Sequence, residues 1–367
     1  MDKGLYLHIP FCRSRCPYCD FYSMRRSDGL VQRYISALLC RTESLAAECG
    51  TGFDTVYIGG GTPSVLGSEQ LCRIIGTLKE RLDIAPDAEI TVECNPFDAE
   101  KEEFSFDALA EAGVNRISMG MQSADDSERR ALGRLSDSAQ VRKAVKRALA
   151  AGIGNISLDL MLGIPHQTAD SLKRSIEFCA ESGAVHVSAY LLKIEAGTRF
   201  FEMKAALPLP DEDETCDLYM TACEELEAAG FAQYEISNFA HKGFESRHNM
   251  KYWNCEEYLG IGPSAHSFCG GKRFFYERDI EGFINGNKPT NDGAGGSFEE
   301  YSMLRLRLSD GLIFDDIKRR FGFEVPQKMI DRASQLSKHG LVNVDSEHIS
   351  LTRAGFLVSN AVIAELI

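Results

Sequence analysis

The sequence predicts an α/β fold in which parallel strands alternate with helices and a smaller α+β module follows. Six short runs of apolar and β-branched residues alternate with longer segments whose apolar residues recur at helical spacing. Glycines follow these helical segments at the positions where helices end. Parallel strands joined by right-handed crossovers curl, and the six units therefore predict an open or closed barrel. The specific prediction is a partial (β/α)6 barrel.

The elements of the first half follow from these patterns. Strands are predicted at residues 5–9, 55–58, 89–93, 116–121, 156–162 and 185–191. Helices with Ser, Thr or Asp near their starts are predicted at 29–48, 68–82, 137–151 and 168–182, and the glycines that end helices are Gly50, Gly113, Gly152 and Gly183. In such folds ligands bind beyond the carboxyl ends of the strands.

The pattern of apolar residues changes in the second half, which suggests three domains: a barrel core at 1–207, a barrel extension at 208–290 and a small α+β domain at 291–367. A Leu-Pro-Leu-Pro hinge at 207–210 precedes an acidic helix at 211–229. Residues 230–290 are rich in aromatics, His and Gly without clean periodicity, and predict a loop-built site or linker. After a flexible glycine stretch at 293–296, helices at 299–308, 313–321 and 325–339 and strands at 341–344 and 348–351 resemble a small winged-helix-like module.

Composition limits the class of protein. Forty Lys and Arg against 54 Asp and Glu give the 367-residue chain a net charge of -14, which disfavours binding to nucleic acid. No apolar run reaches the length of about 18 residues that a membrane span needs. We therefore expect a cytoplasmic protein, in which the twelve cysteines are reduced thiols or metal ligands.

Three cysteines directly after the first strand carry the strongest signal. Cys12, Cys16 and Cys19 form a C-x3-C-x2-C loop, and three close thiolates can bind three irons of a [4Fe-4S] cluster. The fourth iron would stay open to a ligand from outside the protein. The alternatives are unrelated buried cysteines and a zinc site with His8 as fourth ligand; zinc is disfavoured because His8 lies inside the strand.

Polar residues stand at the ends of the other predicted strands. A Gly-Gly-Gly-Thr-Pro loop, residues 59–63, follows the second strand; Glu93 ends the third, Gln122 the fourth, and Asp159 interrupts an apolar fifth. Each alone is compatible with a cap or a buried structural network. Together they fall on one rim of the predicted barrel, which favours a ligand site there.

The cysteine loop resembles that of the radical S-adenosylmethionine (SAM) enzymes, whose SAM chelates the open iron. From Tyr6 to about Leu192 the chain is similar to the oxygen-independent coproporphyrinogen III oxidase branch of that superfamily, in its Tyr-x-His-Ile-Pro-Phe-Cys, Gly-Gly-Gly-Thr-Pro and Met-Gly-Met-Gln segments. The resemblance implies SAM contacts from Tyr6, Tyr18, Gly60, Gly61, Thr62, Glu93, Gln122, Arg134 and Asp159. Arg134 would lie nearest the SAM carboxylate, the alternative being an exposed arginine at a helix end.

Within this branch the sequence departs from the oxidases. They carry a fourth cysteine soon after the cluster loop, where this chain continues Asp-Phe-Tyr-Ser at 20–23, and an N-terminal extension that this sequence does not show. The chain instead resembles the branch's haem chaperones, through that segment and through Arg-His-Asn-Met-Lys-Tyr-Trp at 247–253. This likeness implies haem binding by His248, Tyr252 and Trp253.

Elementary chemistry agrees with a haem site in this segment but leaves alternatives. An imidazole can ligate haem iron, and Arg247 or Lys251 can meet a propionate. The structural alternative makes His248 a hydrogen-bonding residue and Trp253 a core anchor. Two further histidines, His241 and His266, are rival iron ligands.

Two classes of function therefore stay open, and no catalytic residue is assigned. In the first, the protein binds haem, a [4Fe-4S] cluster and SAM and hands haem to a recipient apo-haemoprotein; a homodimer and a peripheral contact with a membrane are compatible with this role. In the second, it is an oxidoreductase of the coproporphyrinogen III dehydrogenase type, which decarboxylates a tetrapyrrole by radical chemistry. The missing fourth cysteine favours the carrier.

Overall fold

The computed structural model describes residues 3–101 and 104–367. Its strands are β1 (Lys3–Ile9), β2 (Phe11–Cys12), β3 (Met24–Arg25), β4 (Gly52–Gly60), β5 (Asp83–Cys94), β6 (Arg116–Gln122), β7 (Asn155–Leu162), β8 (His186–Leu191), β9 (Ala232–Gln233), β10 (Asn238–Ala240), β11 (Tyr258–Ile261), β12 (His266–Cys269), β13 (Lys272–Phe275), β14 (Thr290–Ala294), β15 (Leu312–Ile313), β16 (Val342–Val344) and β17 (His348–Leu351).

The helices lie mostly between these strands. They are α1 (Asp28–Cys49), α2 (Ser68–Arg81), α3 (Pro96–Ala99), α4 (Phe106–Glu111), α5 (Asp126–Ala131), α6 (Ser138–Ala150), α7 (Ala169–Ser182), α8 (Arg199–Met203), α9 (Glu212–Ala228), α10 (Arg247–Trp253), α11 (Ile280–Asn285), α12 (Phe298–Arg305), α13 (Phe314–Phe321), α14 (Gln327–Ser337), α15 (Arg353–Leu357) and α16 (Ser359–Leu366). Two 3₁₀ turns span Pro63–Leu66 and Lys204–Ala206.

One large sheet organises the molecule. Its strand order is β14-β13-β12-β11-β1-β4-β5-β6-β7-β8-β10-β9, and the seven strands from β11 to β8 run parallel. The six predicted strands are β1 and β4 to β8, and the four predicted helices are α1, α2, α6 and α7. The predicted α/β class with a parallel sheet is confirmed, and antiparallel strands extend it at both edges.

The prediction that residues 230–290 are loop-built was wrong. Instead of a loop-built linker, they form β9 to β13, two helices and the start of β14, and β11 adds a seventh parallel strand beside β1. Most of these strands have only two to four residues, too few for an alternating pattern to show in the sequence. Gly293 and Ala294, predicted to be flexible, end the edge strand β14.

Helix α10 closes the base of the partial barrel, where the amino ends of the parallel strands lie. Glu89 near the middle of β5 accepts hydrogen bonds from the backbone N–H groups of Arg247 and His248, each at 3.1 Å. The Nζ atom of Lys251 lies 2.8 Å from a carboxylate oxygen of Asp54 in β4. A buried carboxylate thus caps the first turn of α10 and fixes this helix against two strands.

The C-terminal residues form a small sheet with order β15-β17-β16. Helices α12 to α14 precede the β16–β17 hairpin, as predicted, while β15 and the two last helices were not predicted. Arg305 of α12 donates from Nη1 to the side-chain oxygen of Asn254 at 2.6 Å, next to α10. No helix within 3–101 and 104–367 has both the length and the apolar character needed to cross a membrane.

The close pairing of β11 with β12 yields a test of the fold. A Cβ atom on Gly260 would lie 2.0 Å from the carbonyl oxygen of His266. We expect Gly260→Ala to lower the free energy of unfolding by about 1 to 3 kcal/mol, since overpacking forces backbone shifts. Gly154→Ala is the control, because nothing lies within 4 Å of its Cβ position. Equal stability of the two variants in urea unfolding would contradict this packing.

Candidate functional site

The cysteine loop lies at the mouth of a cavity of about 460 Å³ that opens at the carboxyl ends of the parallel strands. Cys12, Cys16 and Cys19 all line this cavity. The Sγ atom of Cys12 is 3.4 Å from the hydroxyl of Thr62, and the backbone N–H of Cys19 donates to Cys16 O at 3.1 Å. The loop is thus folded so that all three cysteines border the same cavity.

These thiols influence one another. Burial raises the pKa of Cys12 and Cys19, and the neighbouring Cys16 raises the pKa of both further. In the part of the chain that the structure describes, no three His, Cys, Asp or Glu side chains are grouped to hold a single metal ion. Thiolates that ligate separate irons of a cluster need not converge on one point, and sulfur is the donor that such irons prefer, so the loop fits a [4Fe-4S] cluster.

The zinc alternative needed His8 as a ligand. Nδ1 of His8 lies 3.0 Å from the Tyr6 hydroxyl, and Nε2 lies 3.0 Å from the carbonyl oxygen of Tyr22. Burial lowers the pKa of His8 to about 4, so the ring is neutral at physiological pH. Both ring nitrogens are engaged in structural hydrogen bonds, which speaks against zinc ligation by this residue.

The glycine loop packs against the cysteine loop. The N–H groups of Gly61 and Thr62 donate to the carbonyl oxygens of Ile9 and Phe11 at 2.9 and 2.8 Å. A Cβ atom on Gly61 would lie 2.8 Å from the Phe11 carbonyl oxygen and 3.1 Å from Cys12 Sγ. Glycine is therefore required here for the approach of the two loops, whereas the sequence left a structural role and ligand contact both open.

Glu93 and Asp159 both line the cavity, as the predicted rim requires. Glu93 accepts hydrogen bonds from the Tyr57 hydroxyl at 2.9 Å and from the N–H of Gly60 at 3.0 Å, and Asp159 accepts from the Ser118 hydroxyl at 3.2 Å. Burial raises the pKa of Glu93 to about 7 and that of Asp159 to about 6. Carboxyl groups with such raised pKa values in a cavity are typical of functional sites.

Gln122 and Arg134 both lie next to Gly120. Gln122 lines the cavity with φ of +72°, a left-handed backbone uncommon outside glycine, next to a register shift in β6. Arg134 donates from Nη2 to Gly120 O at 2.7 Å and from Nη1 to Cys16 Sγ at 3.7 Å. Arg134 therefore points to the cysteine loop and is not a free helix-end arginine.

The two predicted tyrosines have different positions. Tyr18 lines the cavity beside Phe200, with ring centroids 6.0 Å apart. Tyr6 is absent from the cavity wall within the described residues; its ring lies deeper, 6.1 Å from Tyr57 and 6.5 Å from His248. The structure brings the other eight predicted SAM residues to the cavity and leaves Tyr6 beneath it.

His248 is 1% exposed. Its Nδ1 lies 2.8 Å from the Thr55 hydroxyl and its Nε2 lies 2.7 Å from the Tyr252 hydroxyl, while burial lowers its pKa to about 3. Trp253 packs under the guanidinium of Arg307, 4.7 Å from the ring centroid. In this arrangement the segment serves as structural packing at the barrel base, the alternative reading of the sequence.

Several residues in the cavity wall escaped sequence reasoning. They are Tyr57, Arg116, Ser118, Ser188, Tyr190 and Asn249. Five of them lie on inward-facing positions of β4, β6 and β8, at every second residue, and Asn249 reaches the cavity from α10. The signal was present as polar residues at alternate positions of apolar strands, which a packed barrel core would fill with branched apolar side chains.

Comparison with known proteins adds independent findings. Residues 6–179 match the family model of the radical SAM superfamily, and residues 298–358 match that of the HemN C-terminal domain. The chain is 34% identical to the heme chaperone HemW of Bacillus subtilis over 98% of both chains. It is 36% identical to heme chaperone HemW of Escherichia coli over 94% of this chain and 96% of that one.

A solved structure shares the fold. Coproporphyrinogen III oxidase (HemN) from Escherichia coli, a radical SAM enzyme, superposes with a TM-score of 0.83 at 21% identity. The match covers 100% of this chain and 90% of that one. The predicted radical-SAM-type partial barrel is therefore confirmed.

The raised pKa of Glu93 predicts a pH-dependent stability. Its ordinary pKa is 4.5 and its folded-state pKa is about 7, so the folded state holds the proton more tightly and loses stability as pH rises from about 4.5 through 7. In urea unfolding of the cluster-free protein, Glu93→Gln should abolish this loss of stability with rising pH, which amounts to about 3 kcal/mol. The control is the exposed Glu202→Gln; identical pH slopes for both variants would contradict the burial argument.

Proposed function

This chain belongs to the HemW family of radical SAM proteins, and we propose that it binds haem and transfers it to a recipient apo-haemoprotein. The observation that carries the proposal is full-length similarity, at 34% to 36% identity, to relatives named heme chaperones. That similarity spans residues 247–253, which the sequence analysis linked to haem, as well as the cysteine loop. Fold alone would not decide, because the same fold serves an oxidase.

Its membership of the superfamily implies a [4Fe-4S] cluster and SAM. We assign the cluster to Cys12, Cys16 and Cys19, which share the cavity mouth. The open iron would take SAM, a molecule that the rim can hold through carboxyl groups for its amino and ribose groups and Arg134 for its carboxylate. Because three thiols must stay reduced to bind iron, we place the protein in the reducing cytoplasm.

For haem, we infer a site at segment 247–253 with two candidate iron ligands, His248 and His266. His248 can ligate iron only if it gives up its hydrogen bond to Thr55 or to Tyr252. His266 is exposed on β12, with its ring stacked on Phe275 at 5.1 Å. An exposed imidazole beside an aromatic ring needs no rearrangement to meet a porphyrin.

The cluster assignment yields a direct prediction. Anaerobically reconstituted protein should hold about four irons and four sulfides per chain, and Cys16→Ala should lose most of this iron and the accompanying visible absorption. Cys40→Ala is the matched control, since Cys40 is exposed on α1, away from the cysteine loop. Wild-type iron content in Cys16→Ala would sink the assignment.

The functional proposal is tested by haem titration followed by visible spectroscopy. Wild-type protein should bind haem and shift the Soret band, and loss of an axial imidazole should weaken binding and change that shift. His248→Ala and His266→Ala locate the ligand, with exposed His339→Ala as control. Failure of the wild-type protein to bind haem would refute the function, whereas unchanged spectra in both variants would refute only the two ligand assignments.

A further inference from the structure

The base of the partial barrel holds a buried positive charge that the cofactor assignments leave unused. Arg116 begins β6, is 2% exposed, and lines the cavity. Within residues 3–101 and 104–367 its side chain has no hydrogen bond or ion pair, and its Nε is buried without a partner. Burying an unpaired guanidinium is unfavourable unless another group compensates it.

Other buried arginines of this protein show how the fold satisfies a structural guanidinium. Arg129 donates to the carbonyl oxygen of Ser136 from Nε at 3.0 Å and from Nη2 at 2.8 Å. Arg305 donates to Gly311 O at 3.1 Å and to the Asn254 side chain at 2.6 Å. Arg116 has no such acceptors, although it is as deeply buried. The guanidinium of Arg116 therefore faces the cavity and contributes no hydrogen bond to the fold.

Two carboxyl groups and two neutral groups lie near this charge. Burial raises the pKa of Glu93 and of Asp159, and the charge of Arg116 lowers the pKa of both, although neither carboxyl group forms an ion pair with the guanidinium among the described residues. Asn249 of α10 lines the same cavity from below. Thr91 is the register partner of Arg116 on β5, is 0% exposed, and its hydroxyl oxygen has no partner among the described residues. Arg116 and Asn249 thus both line the cavity, while Thr91 lies beside Arg116 on the neighbouring strand, behind the cavity wall.

We propose that this floor, defined by Arg116 and Asn249 and backed by Thr91, binds the carboxylate of a ligand that enters the barrel below the cluster loop. A planar guanidinium can hold both oxygens of a carboxylate at once, and the neutral donors can complete its hydrogen bonds. Gln122 at the other end of β6 marks the rim, six residues or about 20 Å of strand away. The floor is thus separate from the cluster loop.

Of the two rim carboxyl groups, Glu93 opposes such a ligand only in part, whereas Asp159 is mostly ionised at neutral pH. Burial raises the pKa of Glu93 to about 7 and that of Asp159 to about 6, so a substantial fraction of Glu93 is protonated at neutral pH. A protonated carboxyl group donates a hydrogen bond to a carboxylate instead of repelling it. Protonation of Glu93 also leaves the positive charge of Arg116 less neutralised.

The carboxylate can come from a free small acid or from the propionate arm of haem, and only the second source rests on the proposed function.

The first experiment measures the thermal unfolding of anaerobic, cluster-loaded protein in sodium propionate. Sodium chloride of equal ionic strength and the neutral isostere propionamide are the reference additives. Propionate should raise Tm above both references in the wild type, because binding to the folded state stabilises it.

Arg116→Met should abolish the effect of propionate, and Arg130→Met, the same change at an exposed position of α5, should keep it. If Arg116→Met does not fold, Arg116→Lys retains the charge without the bidentate fork and should lose most of the effect. Equal shifts with propionate and chloride, or a full propionate effect in Arg116→Met, would overturn the proposal. So would weakened SAM binding in Arg116→Met with the propionate effect retained.

A second titration compares haem with haem dimethyl ester, whose propionates are neutral. About tenfold weaker binding of the ester to the wild type, with no such difference in Arg116→Met, identifies the haem propionate as the source. Equal affinities for haem and ester in the wild type, with the propionate effect present, identify a free small acid. Absence of haem binding would refute the proposed function while leaving the propionate result to decide the floor.

Discussion

The common direction of seven neighbouring strands is the constraint on which the rest of this structure depends. Because β11, β1 and β4 to β8 run parallel, their carboxyl ends meet at one edge of the sheet. That edge receives the cysteine loop after β1, the glycine loop after β4 and the polar ends of β5 and β6, and Asp159 lies within β7. Residues far apart in the sequence therefore line one cavity because of the strand direction alone, and no pair of them needs a contact of its own to be brought together.

The interior of the partial barrel is polar, which is unusual for a closed barrel core. Inward positions carry Tyr57, Glu93, Arg116, Ser118, Asp159 and Ser188. Buried polar groups of this kind must be paired, hydrated or held for a ligand. Helix α10 makes the interior tenable, since Glu89 and Asp54 fix it to the base of the strands and close the cavity from below. Residues 247–253 are thereby part of the barrel itself.

Much of the fold could be predicted from the sequence because periodicity and glycine stops are local signals. The same reasoning found the cysteine loop and most of the rim, where spacing and strand ends coincide. It failed at β9 to β13, whose strands of two to four residues carry no measurable alternation. It also failed for Arg116 and Asn249, since their importance comes from burial and from the helix that closes the barrel. The burial of His248, with both ring nitrogens bonded, depends on Thr55 and Tyr252 and is equally invisible in sequence.

A haem carrier and a tetrapyrrole decarboxylase are best separated by a turnover experiment. Cluster-loaded protein is incubated anaerobically with coproporphyrinogen III, SAM and a strong reductant, and the tetrapyrroles are analysed after oxidation to porphyrins. A carrier should leave the coproporphyrinogen III unchanged, even though the protein binds haem in a parallel titration. Formation of protoporphyrinogen IX, with SAM consumed in proportion, would contradict the carrier and identify the oxidase.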